Sequence, residues 1–184
     1  RRLRPTIFSK RWESNVGAVT QSYRAASNLT VTNLASIATS TTWVAGWLSG
    51  VIDNTTNLDL DIVVSGKITF GNVTTAGELR MYAMAMLDDS TWPDITGSTE
   101  GTEGTATING SATTIRDATM VLVCAFANRV ANGDVFFIPQ TSLRGAFGGF
   151  MPAKCVLFVT HSTGVALAGS GHQITIKGIT ESVV

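Results

Sequence analysis

Apolar residues in this chain come in short bursts, and that limits what it can fold into. "MVLVCAFA" (Met120–Ala127), "VFFIP" (Val135–Pro139) and "CVLFV" (Cys155–Val159) are too short for self-standing packed helices. They are rich in Val, Ile and Phe, as pleated, buried strands are, and turn residues follow each within a few positions. "ANGD" (Ala131–Asp134) holds Asn-Gly, the strongest short hairpin signal. "LTVTNLASI" (Leu29–Ile37) alternates and predicts a strand, and "TTWVAGWLSGVID" (Thr41–Asp53) predicts another with a bend at Gly46. In "LDLDIVVSGKITF" (Leu58–Phe70), Leu58, Leu60 and Ile62 alternate with Asp59 and Asp61. The period of two predicts a strand with its leucines inward and its two acids on the solvent face.

"ELRMYAMAMLDD" (Glu78–Asp89) has helix-favouring Met, Ala and Leu. Turns on both flanks and strands on either side argue for a strand, apolar on both faces, lying mid-sandwich or at a subunit contact. From Asp88 to Asp117 the chain is polar and rich in Gly and Thr, and reads as one long exposed loop. "RGAFGGFMPAK" reads as a glycine-rich corner. "CVLFVTHST" and "HQITIKGITESV" are the last strands, giving roughly eight in all. The expected fold is all-β, a jelly-roll-like antiparallel β-sandwich with an extended basic N-terminal arm. The arm is residues 1–27 and the single sandwich domain residues 28–184. An immunoglobulin-like sandwich is the alternative, but the Cys…Trp…Cys spacing is missing.

Charge supports the arm. Arg1, Arg2, Arg4, Lys10, Arg11 and Arg24 stand against Glu13 alone in the first 24 residues, +6 and −1, so the rest of this net-neutral chain carries −5. Charged residues are only 14% and apolar residues 44%. A surface so low in charge suggests cover by partners, or a Thr/Ser/Asn-rich exterior. No apolar run approaches membrane-spanning length, so no membrane is expected. The basic opening "RRLRPTIFSKRW" lacks an apolar core, so no secretory signal is expected in it. The sequons at Asn28, Asn54, Asn72 and Asn109 are accordingly discounted as glycan sites.

Reaction chemistry finds little purchase. Asp53, Asn54, Asn57, Asp59 and Asp61 could offer oxygens to calcium, but the spacing is not an EF-hand loop, and the face of a strand plus a turn explains them. His161 and His172 lie near serines without a GxSxG elbow, and His161 reads as a satisfied structural histidine. "GAFGGF" (Gly145–Phe150) lacks the Lys-Ser/Thr of a phosphate loop. Cys124 and Cys155 sit in apolar runs and read as buried thiols on neighbouring core strands, with a disulfide between them the alternative, although two cysteines make no framework. Trp92 in "STWPD" reads equally as an exposed platform for a sugar or as a plug over the sandwich end. No catalytic residue, metal or cofactor is expected.

Three stretches together, "VIDNTTNLDLDIVVSGKIT", "DDSTWPDI" and "LFVTHSTGVALAGSGHQITI", resemble a widespread group of tailed-bacteriophage virion structural proteins. In that group a "DNTTNLYLDALVSG"-like strand precedes a "TYPD"-like loop, and a "VFVTHNTGVAL"-like strand lies near the C-terminus. The resemblance covers roughly residues 50 to 180. Asp59 stands where an aromatic is common and Trp92 where Tyr is common, and the segment before residue 40 carries no part of it. The resemblance implies a virion component, several of the group being similar to head decoration or cement proteins, located on the capsid surface.

The expected function is therefore a capsid decoration or cement protein, a homo-oligomer binding the major capsid protein or other virion proteins. Arg1, Arg2, Arg4, Phe8, Lys10, Arg11 and Trp12 of the arm would make the partner contact, with Trp92 a possible loop contact. Two alternatives stand beside it: a receptor- or glycan-binding module of a tail or fibre, and a self-assembling jelly-roll coat protein. Five basic residues before Trp12 are few for packaging a genome, so nucleic acid is not the expected partner.

Overall fold

The computed structural model describes residues 17–72, 75–97, 100–109, 113–127 and 132–183. The contact residues expected in the arm, Arg1, Arg2, Arg4, Phe8, Lys10, Arg11 and Trp12, lie outside these described residues.

Two antiparallel sheets pack face to face. The first contains β1 (Val19–Tyr23), β2 (Ser27–Asn28), β5 (Asp61–Thr69), β9 (Val135–Ser142) and β11 (Gln173–Val183). The second contains β3 (Ala45–Leu48), β4 (Ile52–Asp53), β6 (Glu78–Ala85), β7 (Gly104–Thr107), β8 (Val121–Ala127) and β10 (Lys154–His161). Strand order is β1-β11-β5-β9 in one sheet and β7-β3-β10-β6-β8 in the other. Counting β1, β3, β5, β6, β8, β9, β10 and β11 as first to eighth, the sheets read first, eighth, third, sixth and second, seventh, fourth, fifth. That is the wrapped double Greek key of a jelly roll. Along those strands every connection but one changes sheet. The exception, β6 to β8, carries an insertion holding β7 and a short helix α1 (Thr113–Thr119).

Pleating explains the core. On β10, Cys155, Leu157 and Val159 point between the sheets, where they meet Trp47, Ile62, Val64, Phe70, Met81 and Ile174. Its other face, Val156 and Phe158, packs with Leu48, Tyr82 and Met84 beneath Ile95, Ile108 and Met120 of the insertion. The insertion is thus a third layer, and it is why β6 and β10 are apolar on both sides. Arg116 of α1 is buried there. It donates through Nη1 to the Trp43 carbonyl at 2.9 Å, pairs with Asp117, and lies 4.9 Å over the Tyr82 ring.

Several sequence expectations are corrected. The stretch from Asp88 to Asp117 is no plain loop, since it holds β7 and most of α1. Leu29–Ile37 is no strand. Strand β2 ends at Asn28, and Thr32–Leu34 forms one 3₁₀ turn burying Leu34. Thr41–Asp53 breaks into β3 and β4, and Gly46 sits inside β3, where a Cβ would strike the Val159 carbonyl. The glycine is there for close approach rather than for a bend. The leucine–aspartate alternation is inverted: Leu58 is 73% exposed, and Asp59 only 3%. Residues 19–23, expected within the arm, are strand β1 on the sheet edge. Cys124 and Cys155 are free, Cys155 buried and Cys124 half-buried, and β6 separates the strands that the sequence placed side by side.

Candidate interaction surface

One end of the sandwich gathers the start of β5, β8 and β10 and the finish of β6 and β9. The connections 54–60, 86–93 and 143–153 therefore meet there. Between them lies a groove of about 730 Å³, lined by Leu87, Pro93, Val121, Phe147, Phe150 and Pro152, with Asp88 and Asp89 beside them. Phe150 also closes a second hollow of about 290 Å³, with Leu60, Arg144 and Met151. Leu87 and Phe150 are 69% and 63% exposed. Large apolar side chains that cluster on a surface mark contact sites more often than scattered ones do.

Each exposed apolar residue is held in place. Helix α2 (Leu143–Ala146) is one turn, begun by Ser142, whose Oγ accepts from the Gly145 N–H at 2.7 Å. Gly148 and Gly149 follow at φ +76° and +106°, values glycine adopts without strain, and deliver Phe150 to the surface. Arg144 Nε donates to the Gly149 carbonyl at 2.8 Å, and the Phe147 and Phe150 rings lie 6.2 Å apart. Leu58 takes a left-handed φ of +50°. Asn54 fixes that turn: its Nδ2 donates to the Asp59 carbonyl at 2.9 Å, and its Oδ1 accepts from the Asp59 N–H at 2.8 Å. Asp88 accepts from the backbone N–H groups of Ser90 and Thr91 at 2.7 and 2.6 Å. Those bonds hold its carboxyl below the usual range, so the groove's rim carries a fixed negative charge.

The same end bears the N-terminal strand. β11 pairs with β5 only as far as Ile179↔Asp61, and with β1 from Ile179↔Tyr23 to Val183↔Val19. The last residues of β11 and all of β1 thus form a two-stranded ribbon extending past β5. Every residue of β1 is exposed, Val19 and Tyr23 included.

Other candidates are spoken for. Trp92 is half-buried at the margin of the second core, against Gly101, and lines a hollow of about 320 Å³ with Ser90, Thr91, Asp94 and Glu100. Burial works to raise the Glu100 carboxyl, but hydrogen bonds from Thr96 and the Ile95 N–H outweigh it, and the group is lowered. Of the calcium candidates, Asp53 binds Thr55, Asp59 binds Arg24, and Asp61 accepts from the Arg144 N–H. The three acids face different partners, and among the described residues no three His, Cys, Asp or Glu side chains converge on a metal position. His161 is buried and satisfied, Nδ1 with Thr163 Oγ1 at 3.0 Å and Nε2 with the Ile37 carbonyl at 3.1 Å. His172 bonds the Ala168 carbonyl through Nε2 and accepts from the Thr69 N–H through Nδ1.

Sequence reasoning singled out Trp92 and missed Leu87 and Phe150. The available signal was an aromatic directly after "GG", a pair suited to a tight surface turn, and a leucine directly before "DD". Comparison with family models, with curated proteins and with solved structures found no match to this chain.

Proposed function

We propose that this protein is a virion structural component of a tailed bacteriophage, a decoration protein that binds the assembled major capsid lattice and stabilises it. One observation carries the reading. A jelly-roll body leaves Leu58, Leu87 and Phe150 exposed at one end, and the strand leading from the basic N-terminal segment runs along that same end. The resemblance of "DNTTNLDLDIVVSG" and "VTHSTGVAL" to such virion proteins supports it. The mechanism is mass action: a ligand that binds the shell but not its separated subunits stabilises the shell by an amount that grows with occupancy. Apolar burial at the contact supplies affinity, and arginines paired with acidic patches supply register.

The test compares virions assembled with and without this protein. Heads lacking it should disrupt at lower temperature or lower chaotrope concentration, and added protein should co-sediment with them and restore resistance. Unaltered heads together with failed adsorption to host cells would overturn the reading in favour of a receptor-binding module. The hollow beside Trp92 gives that second reading its foothold, since an aromatic face flanked by Asp94, Glu100 and two hydroxyls suits a sugar ring. Binding to a glycan array that disappears in Trp92→Ala would establish it.

A further inference from the structure

We propose that the groove at Leu87 and Phe150 receives the basic, aromatic segment Ile7–Trp12 of a second copy of this chain. A contact between copies deepens the reading given above, and its test uses no shell, so either can fail without the other.

Three observations converge. The first is chemical fit. The groove is apolar, with Leu87, Phe147, Phe150 and Pro93, and its rim carries Asp88 and Asp89. The segment "IFSKRW" offers Ile7, Phe8 and Trp12 for the floor, and Lys10 and Arg11 for the rim. Residues 1–16 hold five basic side chains against Glu13, +4 in net charge, facing a body that is acidic overall. Among the described residues, Lys154 is the cation bonded at that rim, its Nζ donating to the Asp89 carbonyl at 3.4 Å. That bond goes to a carbonyl and neutralises neither carboxylate, and the Asp88 carboxylate, though it accepts from Ser90 and Thr91, keeps its full charge for an incoming cation.

The second is reach. Sixteen residues span at most about 55 Å when extended, against a diameter near 40 Å for a body of this size. The segment is therefore long enough to cross to a neighbour.

The third is direction. The β1–β11 ribbon leaves the sheet at the groove's own end and continues about 13 Å past the last β5 pairing, at four residue steps. Its base is fixed, because Arg24 is bonded to the buried Asp59 carboxylate. The chain is thus carried outward before residue 16 is reached. Exposed Val19 and Tyr23 on that ribbon add apolar surface that a second copy would cover.

The experiment mixes the full-length protein with an isotope-labelled preparation, free in solution, and applies a zero-length carbodiimide cross-linker. Mass spectrometry should find Lys10 joined to Asp88 or Asp89, with labelled and unlabelled peptides in the same product. Phe150→Asp should reduce that product about tenfold or more, as should the Phe8→Ala/Trp12→Ala pair. Phe150 is largely exposed, so circular dichroism and thermal unfolding of the variant should match the parent. Joined peptides only within one isotope population would overturn the exchange in favour of the chain's own arm. No Lys10 product, or one indifferent to Phe150→Asp, would overturn the groove itself.

Discussion

The Arg24 guanidinium grips the Asp59 carboxylate through three hydrogen bonds, Nε at 2.8 and 3.0 Å and Nη2 at 2.6 Å. Asp59 is sealed from solvent, whereas the Arg24 side chain is 39% exposed. The asymmetry decides what the pair does. A carboxylate out of water must be paired, and the planar fork of arginine meets both of its oxygens. The partner comes from the segment joining β1 to β2, so the pair ties the base of the N-terminal ribbon to the body.

Removing the arginine should therefore be costly. Arg24→Ala leaves a buried charge without its cation, which in sealed sites costs several kcal/mol. The exposed guanidinium lets water share the site, so a loss of about 2 kcal/mol is expected. Arg24→Lys should recover only part of it, because an ammonium cannot span both oxygens. Urea unfolding of the three proteins checks this, and equal stability of Arg24→Ala and parent would show the bond to be idle.

Gly178 lies against the same carboxylate, and a Cβ placed there would run into it. Gly178→Ala should destabilise the fold by about 2 kcal/mol or more through that collision. Combined with Asp59→Ala, the two losses should sum to less than their separate values, since the second change removes the obstacle. Strict additivity in a double-mutant cycle would refute the shared cause.

Which parts of this fold were legible follows from how far each depends on chain neighbours. The strands β5, β8, β9, β10 and β11 carry runs of β-branched and aromatic residues, and the sequence marks them, whereas β6, helix-favouring in composition, was legible only from the turns and strands around it. The two-faced apolarity of "MYAMA" was equally plain, and it left open whether the cover was a subunit or the chain itself. The cover came from 86–120, whose scattered Ile95, Ile108 and Met120 lack any period because an irregular layer touches the sheet at isolated points. Asp59 misled for a different reason. Alternation implies that the polar member faces water, and only a partner 35 positions away in sequence reverses it. The exposed end escaped notice because exposure of Leu87 and Phe150 is set by loops meeting in space.

That third layer is testable at Ile108, which is 1% exposed. Ile108→Ala should cost about 2–4 kcal/mol if the insertion is packed as firmly as a core. Leu87→Ala, on the exposed end, should change stability by under about 0.5 kcal/mol. A harmless Ile108→Ala in thermal unfolding would mean the insertion contributes no packing.

The two thiols should be inert in the folded protein. Burial pushes both Cys124 and Cys155 up to about 12, far from the thiolate form that reacts. A disulfide-exchange reagent at pH 8 should label neither quickly in native protein and both after denaturation. Reductant should leave the melting temperature unchanged, since both cysteines are free. Rapid native labelling of either would contradict the packing around it.

His161 should give the fold a pH dependence above the carboxylate range. Its ring lies with Thr163, the Ile37 carbonyl and the edge of Phe70, whose centroid is 6.5 Å away. Burial lowers its pKa, while the bond to the Ile37 carbonyl acts in the opposite sense and is outweighed. The folded state therefore prefers the neutral imidazole. Above about pH 6.5 both states are neutral and the full stability is present. As pH falls below that value the unfolded chain takes up a proton that the folded chain refuses, and stability declines by up to about 1.4 kcal/mol per pH unit until the folded ring titrates. His161→Gln keeps a side chain able to donate and to accept but cannot ionise, so its stability between pH 6.5 and 5 should stay flatter than the parent's. Asp53, Asp88 and Glu100, all lowered, add their own loss only as pH falls further, below their unfolded values near 4. Parallel pH profiles of the parent and His161→Gln through pH 6.5 to 5 would show that the histidine takes its proton as readily folded as unfolded.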